Sequence, residues 1–230
     1  MRCQSVSERF RSDWCRYNFE KKQERLIGKH KAAVSCVLYV ESLRRTNGIN
    51  SRVEYIISSS WDKTVKIWDT KGETPNEPLF ELPQTHKAYT MDISSDMYAF
   101  SLSIYSRKLL VSLDNRHIVI YDLNNLPEPI ITRDCLLKYN TRPLCALVGG
   151  TGYVAGSVEG RVGVEYFSES LTPFSFRCHR KTDAYGSEVV YPVNAIAVHP
   201  IYGTFATGGA DGTVCIWDAD AKKRLAIFSE

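Results

Sequence analysis

Ser58-Ser-Ser-Trp-Asp-Lys-Thr-Val-Lys-Ile-Trp-Asp69 and Thr207-Gly-Gly-Ala-Asp-Gly-Thr-Val-Cys-Ile-Trp-Asp218 are two versions of one phrase. In each, an aspartate (Asp62, Asp211) precedes a tryptophan (Trp68, Trp217) with alternating apolar residues between them. Asp62-Lys63-Thr64 and Asp211-Gly212-Thr213 suit a tight turn, because Asp caps its own backbone and Gly accepts a positive φ. Val65 and Ile67, like Val214 and Ile216, then share one face of a strand of period two. Each phrase predicts strand, turn, strand, closed by Trp-Asp. A hairpin that returns along a chain marks a repeat architecture.

Two weaker copies lie between the strong ones. Asn115-Arg116-His117-Ile118-Val119-Ile120-Tyr121-Asp122 keeps the pattern with Tyr in place of Trp. Glu159-Gly160-Arg161-Val162-Gly163-Val164-Glu165-Tyr166 keeps the turn and the alternation but has lost the aromatic–Asp pair. The matched positions Trp68, Tyr121, Glu165 and Trp217 recur roughly every fifty residues, close to the ~40–45 of WD repeats with some loop insertion. On these motifs the chain resembles the WD-repeat β-propeller family. The resemblance implies an all-β fold built from four-stranded blades. The family usually has seven blades, and 230 residues at this period hold about four plus partial blades. The expectation is therefore an incomplete part of a seven-bladed propeller, a fragment rather than a small closed ring. An open propeller leaves edge strands unpaired, which invites aggregation.

Two regions follow. Residues 1–25 form a leader outside the propeller, disordered or a short amphipathic helix on the spacing of Phe10, Trp14 and Tyr17. Residues 26–230 hold the blades. Strands are expected at Val34 to Val40, Glu54 to Ser60, Ala88 to Ile93, Lys108 to Leu113, Gly152 to Ser157, Arg161 to Phe167, Val193 to Val198 and Arg224 to Phe228. Arg44 to Ser51, Lys71 to Pro83 and Lys181 to Glu188 are polar or proline-bearing and read as loops.

The charge balance, 29 basic against 26 acidic residues, is too even to indicate nucleic-acid binding through charge. Seven scattered cysteines with no CxxC pair suit reduced thiols rather than a disulfide framework. No apolar run approaches the ~20 residues of a membrane span. Catalytic motifs are not found: there is no GxSxG, no phosphate-cradling GxxxxGK and no HExxH. Cys178 and His179 are adjacent on a predicted strand and point to opposite faces, so they do not make a nucleophile pair. Five dispersed histidines do not make a metal site. No cofactor is expected, and the chain reads as a binding protein rather than an enzyme.

The propeller resemblance also implies a structural role for some polar residues. It pairs the opening histidine of a repeat with the turn aspartate, placing His30 with Asp62 near Trp68, and His179 with Asp211 near Trp217. Trp61 stands directly before its turn aspartate, where the other copies have Asp114, Val158 and Ala210. An aromatic there is either an interface anchor or packed on a neighbouring blade. Arg161, Arg177 and Arg180 flank the degenerate repeat, and guanidinium groups bind carboxylate or phosphate through paired hydrogen bonds.

A narrower resemblance runs from about Leu26 to Phe228. Glu159 to Phe167, Phe176-Arg177-Cys178-His179-Arg180, Tyr191-Pro192-Val193-Asn194-Ala195-Ile196, Leu136 to Tyr139 and Thr204 to Gly209 resemble the Bub/Rae family, on its spindle-checkpoint side. That resemblance implies a non-enzymatic adaptor of the spindle assembly checkpoint, nuclear and kinetochore-bound and also cytoplasmic. The implied partners are Gle-two-binding-type motifs in a checkpoint kinase and its pseudokinase relative, and phosphorylated Met-Glu-Leu-Thr repeats of a kinetochore scaffold. Ubiquitin binding is not indicated by the sequence, and neither membrane nor direct nucleic-acid contact is expected. On this basis Trp61, Arg161, Arg177 and Arg180 are the candidate peptide-binding residues. The alternatives are the related messenger-RNA export propeller, which takes a nucleoporin motif, and a generic scaffold such as a ubiquitin-ligase substrate receptor.

Overall fold

A computed structural model of the chain describes residues 13–18, 23–46, 49–69, 77–94 and 107–229. Apart from one 3-10 turn at Val148–Gly150, the regular elements among these residues are β-strands. Four sheets are four-stranded meanders, each running in chain order. The first blade comprises Val34–Thr46, Ile49–Ser60, Thr64–Asp69 and Phe80–Pro83. The second comprises Ala88–Ile93, Lys108–Leu113, His117–Asp122 and Pro129–Asp134. The third comprises Thr141–Ala146, Gly152–Ser157, Arg161–Tyr166 and Phe174–Arg177. The fourth comprises Val193–Val198, Thr204–Gly209, Val214–Asp218 and Lys223–Phe228. Repeated four-stranded antiparallel sheets of this kind are the blades expected of a WD-repeat propeller.

The chain divides into two compact units, Met1–Met91 and Asp92–Glu230. In the first, Trp68 packs with Ile27 and Ile56. Its indole lies so close over Gly28 that a Cβ there would sit 2.4 Å from the ring. In the second unit the third blade is covered on both faces. One face meets the second blade through Leu110, Ile118, Ile120, Leu144 and Tyr153. The other meets the fourth blade through Val154, Val162, Val164, Phe205 and Trp217. Gly152–Ser157 is buried along its whole length in consequence, which is why it alternates nothing and reads as one small-and-apolar run. Burial of each large side chain here contributes about 1.5–3 kcal/mol.

The tight turns explain why the hairpins recur. Each second-to-third-strand turn puts one residue in the left-handed region: Lys63 (φ 66°), Arg116 (71°), Gly160 (61°) and Gly212 (76°). At Gly160 the space is closed too, since a Cβ would lie 2.7 Å from the Cys178 carbonyl oxygen and 2.8 Å from that of Tyr191. At Gly212 it would meet nothing within 4 Å.

Four expectations change. Asp13–Asn18 is a strand paired with Gln23–Lys29 rather than a helix, because pairing satisfies its backbone; Phe10 lies outside the described residues. Arg44 to Ser51 is not an extended loop: strand pairing continues through Arg44↔Ser51 to Thr46↔Ile49. The end of the expected Lys71 to Pro83 connection is a strand, with Thr64↔Pro83 as its last pair. Within Lys181 to Glu188 lies a short ribbon, Arg180–Thr182 paired with Glu188–Val190 and turned by Asp183, whose Oδ1 accepts the N–H groups of Tyr185 and Ser187. Two strands, Pro129–Asp134 and Thr141–Ala146, had no sequence expectation.

Candidate functional site

Two blades carry a buried polar tetrad. In the first, a carboxylate can only accept, so the His30 Nδ1–H donates to Asp62 Oδ2 at 2.9 Å. His30 Nε2 then accepts from the Ser58 hydroxyl at 2.8 Å. Ser58 Oγ in turn accepts the Trp68 indole N–H at 2.8 Å. Asp62 also takes the Thr64 hydroxyl and the Lys31 N–H. Burial drives the His30 pKa below its ordinary value, against the opposing pull of Asp62. Burial pushes the Asp62 carboxyl up, but hydrogen bonds from Thr64, the Lys31 N–H and His30 outweigh it and hold it below the usual range.

The fourth blade repeats the arrangement with Thr207 for Ser58. His179 Nδ1–H donates to Asp211 at 3.0 Å, Thr207 donates to Nε2 at 2.8 Å, and Trp217 Nε1–H donates to Thr207 at 2.9 Å. Gly209 makes room for it, since a Cβ would fall 2.3 Å from His179 Nδ1. Burial raises the Asp211 carboxyl too, and the Thr213 hydroxyl and N–H with His179 bring it below the ordinary value. Both imidazoles use both nitrogens within the fold. The strand expected to hold Cys178 and His179 stops at Arg177, and His179 is left-handed at φ 50°, so strand alternation is not what separates the pair. Burial pushes the Cys178 thiol up to about 12, which disfavours the thiolate.

Ser58 and Thr207 were missed by the sequence reading, although each opens its phrase. Their counterparts in the weaker copies are Val111 and Ala155, both fully buried. The tetrad is thus lost as a set: the second blade has Val111, Asn115 and Tyr121, the third Ala155, Glu159 and Glu165. Glu165 instead accepts the Leu136 N–H at 2.9 Å and lies 3.8 Å from Arg133 Nε. Arg133 also donates to the Tyr153 hydroxyl and the Tyr166 carbonyl. His86-Lys87-Ala88 repeats His30-Lys31-Ala32 and could have been found by that match.

The candidate arginines all lie in the second unit. Arg161 and Arg177 are cross-strand partners on the third blade. Arg161 Nη2 donates to Ser175 Oγ at 3.1 Å and its Nε lies 3.9 Å from Glu159. Arg177 is exposed, and its side chain makes no hydrogen bond or ion pair among the described residues. It stands two residues before His179, where the first blade has Gly28 before His30. Arg180 is differently placed: it donates to Glu188 at 2.7 Å and to the Glu159 carbonyl at 3.2 Å, which ties the ribbon to the Glu159-Gly160 turn. Like charges directly opposite on a sheet destabilise it unless an anion joins them. The Arg161–Arg177 pair therefore suits an incoming carboxylate or phosphate.

Trp61 lies in the first unit, half-buried, edge-on to Tyr89 with ring centroids 6.3 Å apart. Lys87 Nζ lies 5.6 Å from the center of its ring. Among the described residues no group of three or more His, Cys, Asp or Glu is placed to hold a metal ion. No helix there is long and apolar enough to cross a membrane.

The family model for the WD domain, G-beta repeat, matches residues 21–69 and 176–218, the regions holding the two tetrads. The chain is 42% identical over 216 residues to mitotic checkpoint protein BUB3.1 of Arabidopsis thaliana, covering 92% of this chain and 58% of the relative. It is 37% identical over 204 residues to mitotic checkpoint protein bub-3 of Caenorhabditis elegans, covering 86% and 53%. It is also 35% identical over 214 residues to the Poly(A)+ RNA export protein of Schizosaccharomyces pombe, covering 92% and 54%. The chain spans a little over half the length of these relatives.

Proposed function

From the premise that this is a BUB3-like WD-repeat protein, we propose that it serves as a non-enzymatic adaptor of the spindle assembly checkpoint. It gathers checkpoint proteins by holding short acidic or phosphorylated segments, working in the nucleus, at kinetochores and in the cytoplasm. The kinase and pseudokinase motifs are one class of ligand and phosphorylated kinetochore-scaffold repeats the other. The observation that carries the reading is the Arg161–Arg177 cross-strand pair, two arginines at directly opposed strand positions with Glu159 3.9 Å from Arg161 Nε. A phosphothreonine brings about two negative charges and three acceptor oxygens to such a pair. In this reading Arg161 and Arg177 meet the ligand directly, Arg180 fixes the Glu159-Gly160 turn that leads into Arg161, and Trp61 offers a separate aromatic contact in the first unit.

The relatives named for RNA export support a second reading, in which the same surface takes a nucleoporin motif. Affinity capture with the tagged chain from mitotic cells separates the readings. Recovery of the checkpoint kinase is the expected result. Recovery of nucleoporins or of a cullin adaptor in its place would contradict the checkpoint assignment.

A further inference from the structure

We propose that the groove between the third and fourth blades is a docking channel for an acidic peptide segment carrying one apolar side chain. The inference deepens the adaptor reading and rests on it, since Arg177 also lines the groove. Its floor is aromatic: Phe176 lies 4.5 Å from Trp217 and 6.4 Å from Phe205, and stacks on Phe174 at 6.3 Å. The space above is about 150 Å³. An apolar cavity of that size takes one benzene-sized group.

The rim carries the sign of the ligand. Arg177, Lys222 and Lys223 line the groove against a single carboxylate, Asp218. Asp218 is already engaged, accepting the Ala221 N–H at 2.8 Å. Lys222 Nζ sits 4.8 Å over the Phe174 ring. Its backbone has φ 52°, a left-handed conformation that glycine adopts freely and lysine does not. The same blade uses glycine at its other positive-φ turn positions, Gly203 and Gly212. Strain kept at a residue whose side chain overhangs a groove points to a use for that side chain. A neutral or basic segment gains nothing from three cations, whereas an acidic one gains from all of them, most strongly at low salt.

The strain also supplies a clean test. Lys222→Gly removes the cation while relieving the backbone, so folding and binding move in opposite directions. The probe is a fluorescein-labelled peptide, Asp-Glu-Asp-Leu-Phe-Glu-Asp-Glu, titrated by anisotropy against the full chain and its variants. The expected result is at least tenfold weaker binding for Lys222→Gly, with Tm unchanged or raised, and a loss in the same direction for Lys223→Ala. The Asn/Gln version of the peptide should fail to compete. Wild-type affinity in both lysine variants, or equal competition by the neutral peptide, would overturn the channel. The adaptor reading would survive that outcome if Arg161→Glu/Arg177→Glu still abolished phosphopeptide binding. Absence of any binding by the wild-type chain to acidic or phosphorylated peptides would sink both.

Discussion

Ser58 and Thr207 each offer one hydroxyl that both donates to an imidazole and accepts from an indole, so a single oxygen closes a four-residue network. Taking it away strands two buried polar groups at once. Ser58→Ala and Thr207→Val should each cost about 2 kcal/mol, the penalty of an unmet buried donor or acceptor. Thr207→Ser, which keeps the oxygen, should cost less than about 1 kcal/mol. Chemical denaturation of the three variants checks the ordering. Acid acts on the same network. His30 has a folded pKa lowered by burial, so its contribution is complete above the unfolded value of about 6.5 and is lost as pH falls toward the folded value. Asp62, also lowered, adds a second loss beneath its unfolded value of about 3.9. In an NMR titration the His30 imidazole should therefore reach its midpoint below that of free histidine. A midpoint at or above it would contradict the neutral, buried assignment.

The hairpins were the part of the fold most open to sequence reading, because a turn with one left-handed residue and a strand of period two both leave local marks. Gly160 and Gly212 share that conformation but differ in their surroundings. Gly212→Ala should cost about 1 kcal/mol for backbone strain alone, and Gly160→Ala clearly more, because its new Cβ also meets two carbonyl oxygens. Thermal melts of the pair test the difference. The third blade depends on another device, the Arg133–Glu165 contact. Arg133→Met leaves Glu165 buried without its cation and should cost ~2 kcal/mol, less than the ~3–5 of a fully buried pair because Arg133 is partly exposed. Replacing Glu165 with Met as well should recover much of the loss. This contact was not legible, since a glutamate in an aromatic's place reads only as a missing motif. The Arg180–Thr182 ribbon and the extensions of the two expected strands, past Val40 to Thr46 and back from Glu54 to Ile49, were hidden for a related reason. Their polar stretches lack the apolar alternation by which strands are recognised, and long-range pairing overrides local propensity.

On the scale of the whole molecule, one blade pattern is repeated and the blades differ in the polar groups they carry. The first and fourth blades hold intact tetrads and match the WD-repeat model. The third has lost the tetrad and carries the arginine pair. Loss of the internal network and presence of surface cations on one blade fit an adaptor whose binding chemistry lies where the repeat has drifted. Phosphate recognition by two guanidinium groups is the central claim, and calorimetric titration of a phosphothreonine peptide with acidic flanks tests it most directly. The wild-type chain should bind, and Arg161→Glu/Arg177→Glu should lose binding by a factor of about 100 or more while keeping its circular dichroism, as expected when two charge-assisted contacts become repulsive. Undiminished affinity in a folded double variant would contradict it.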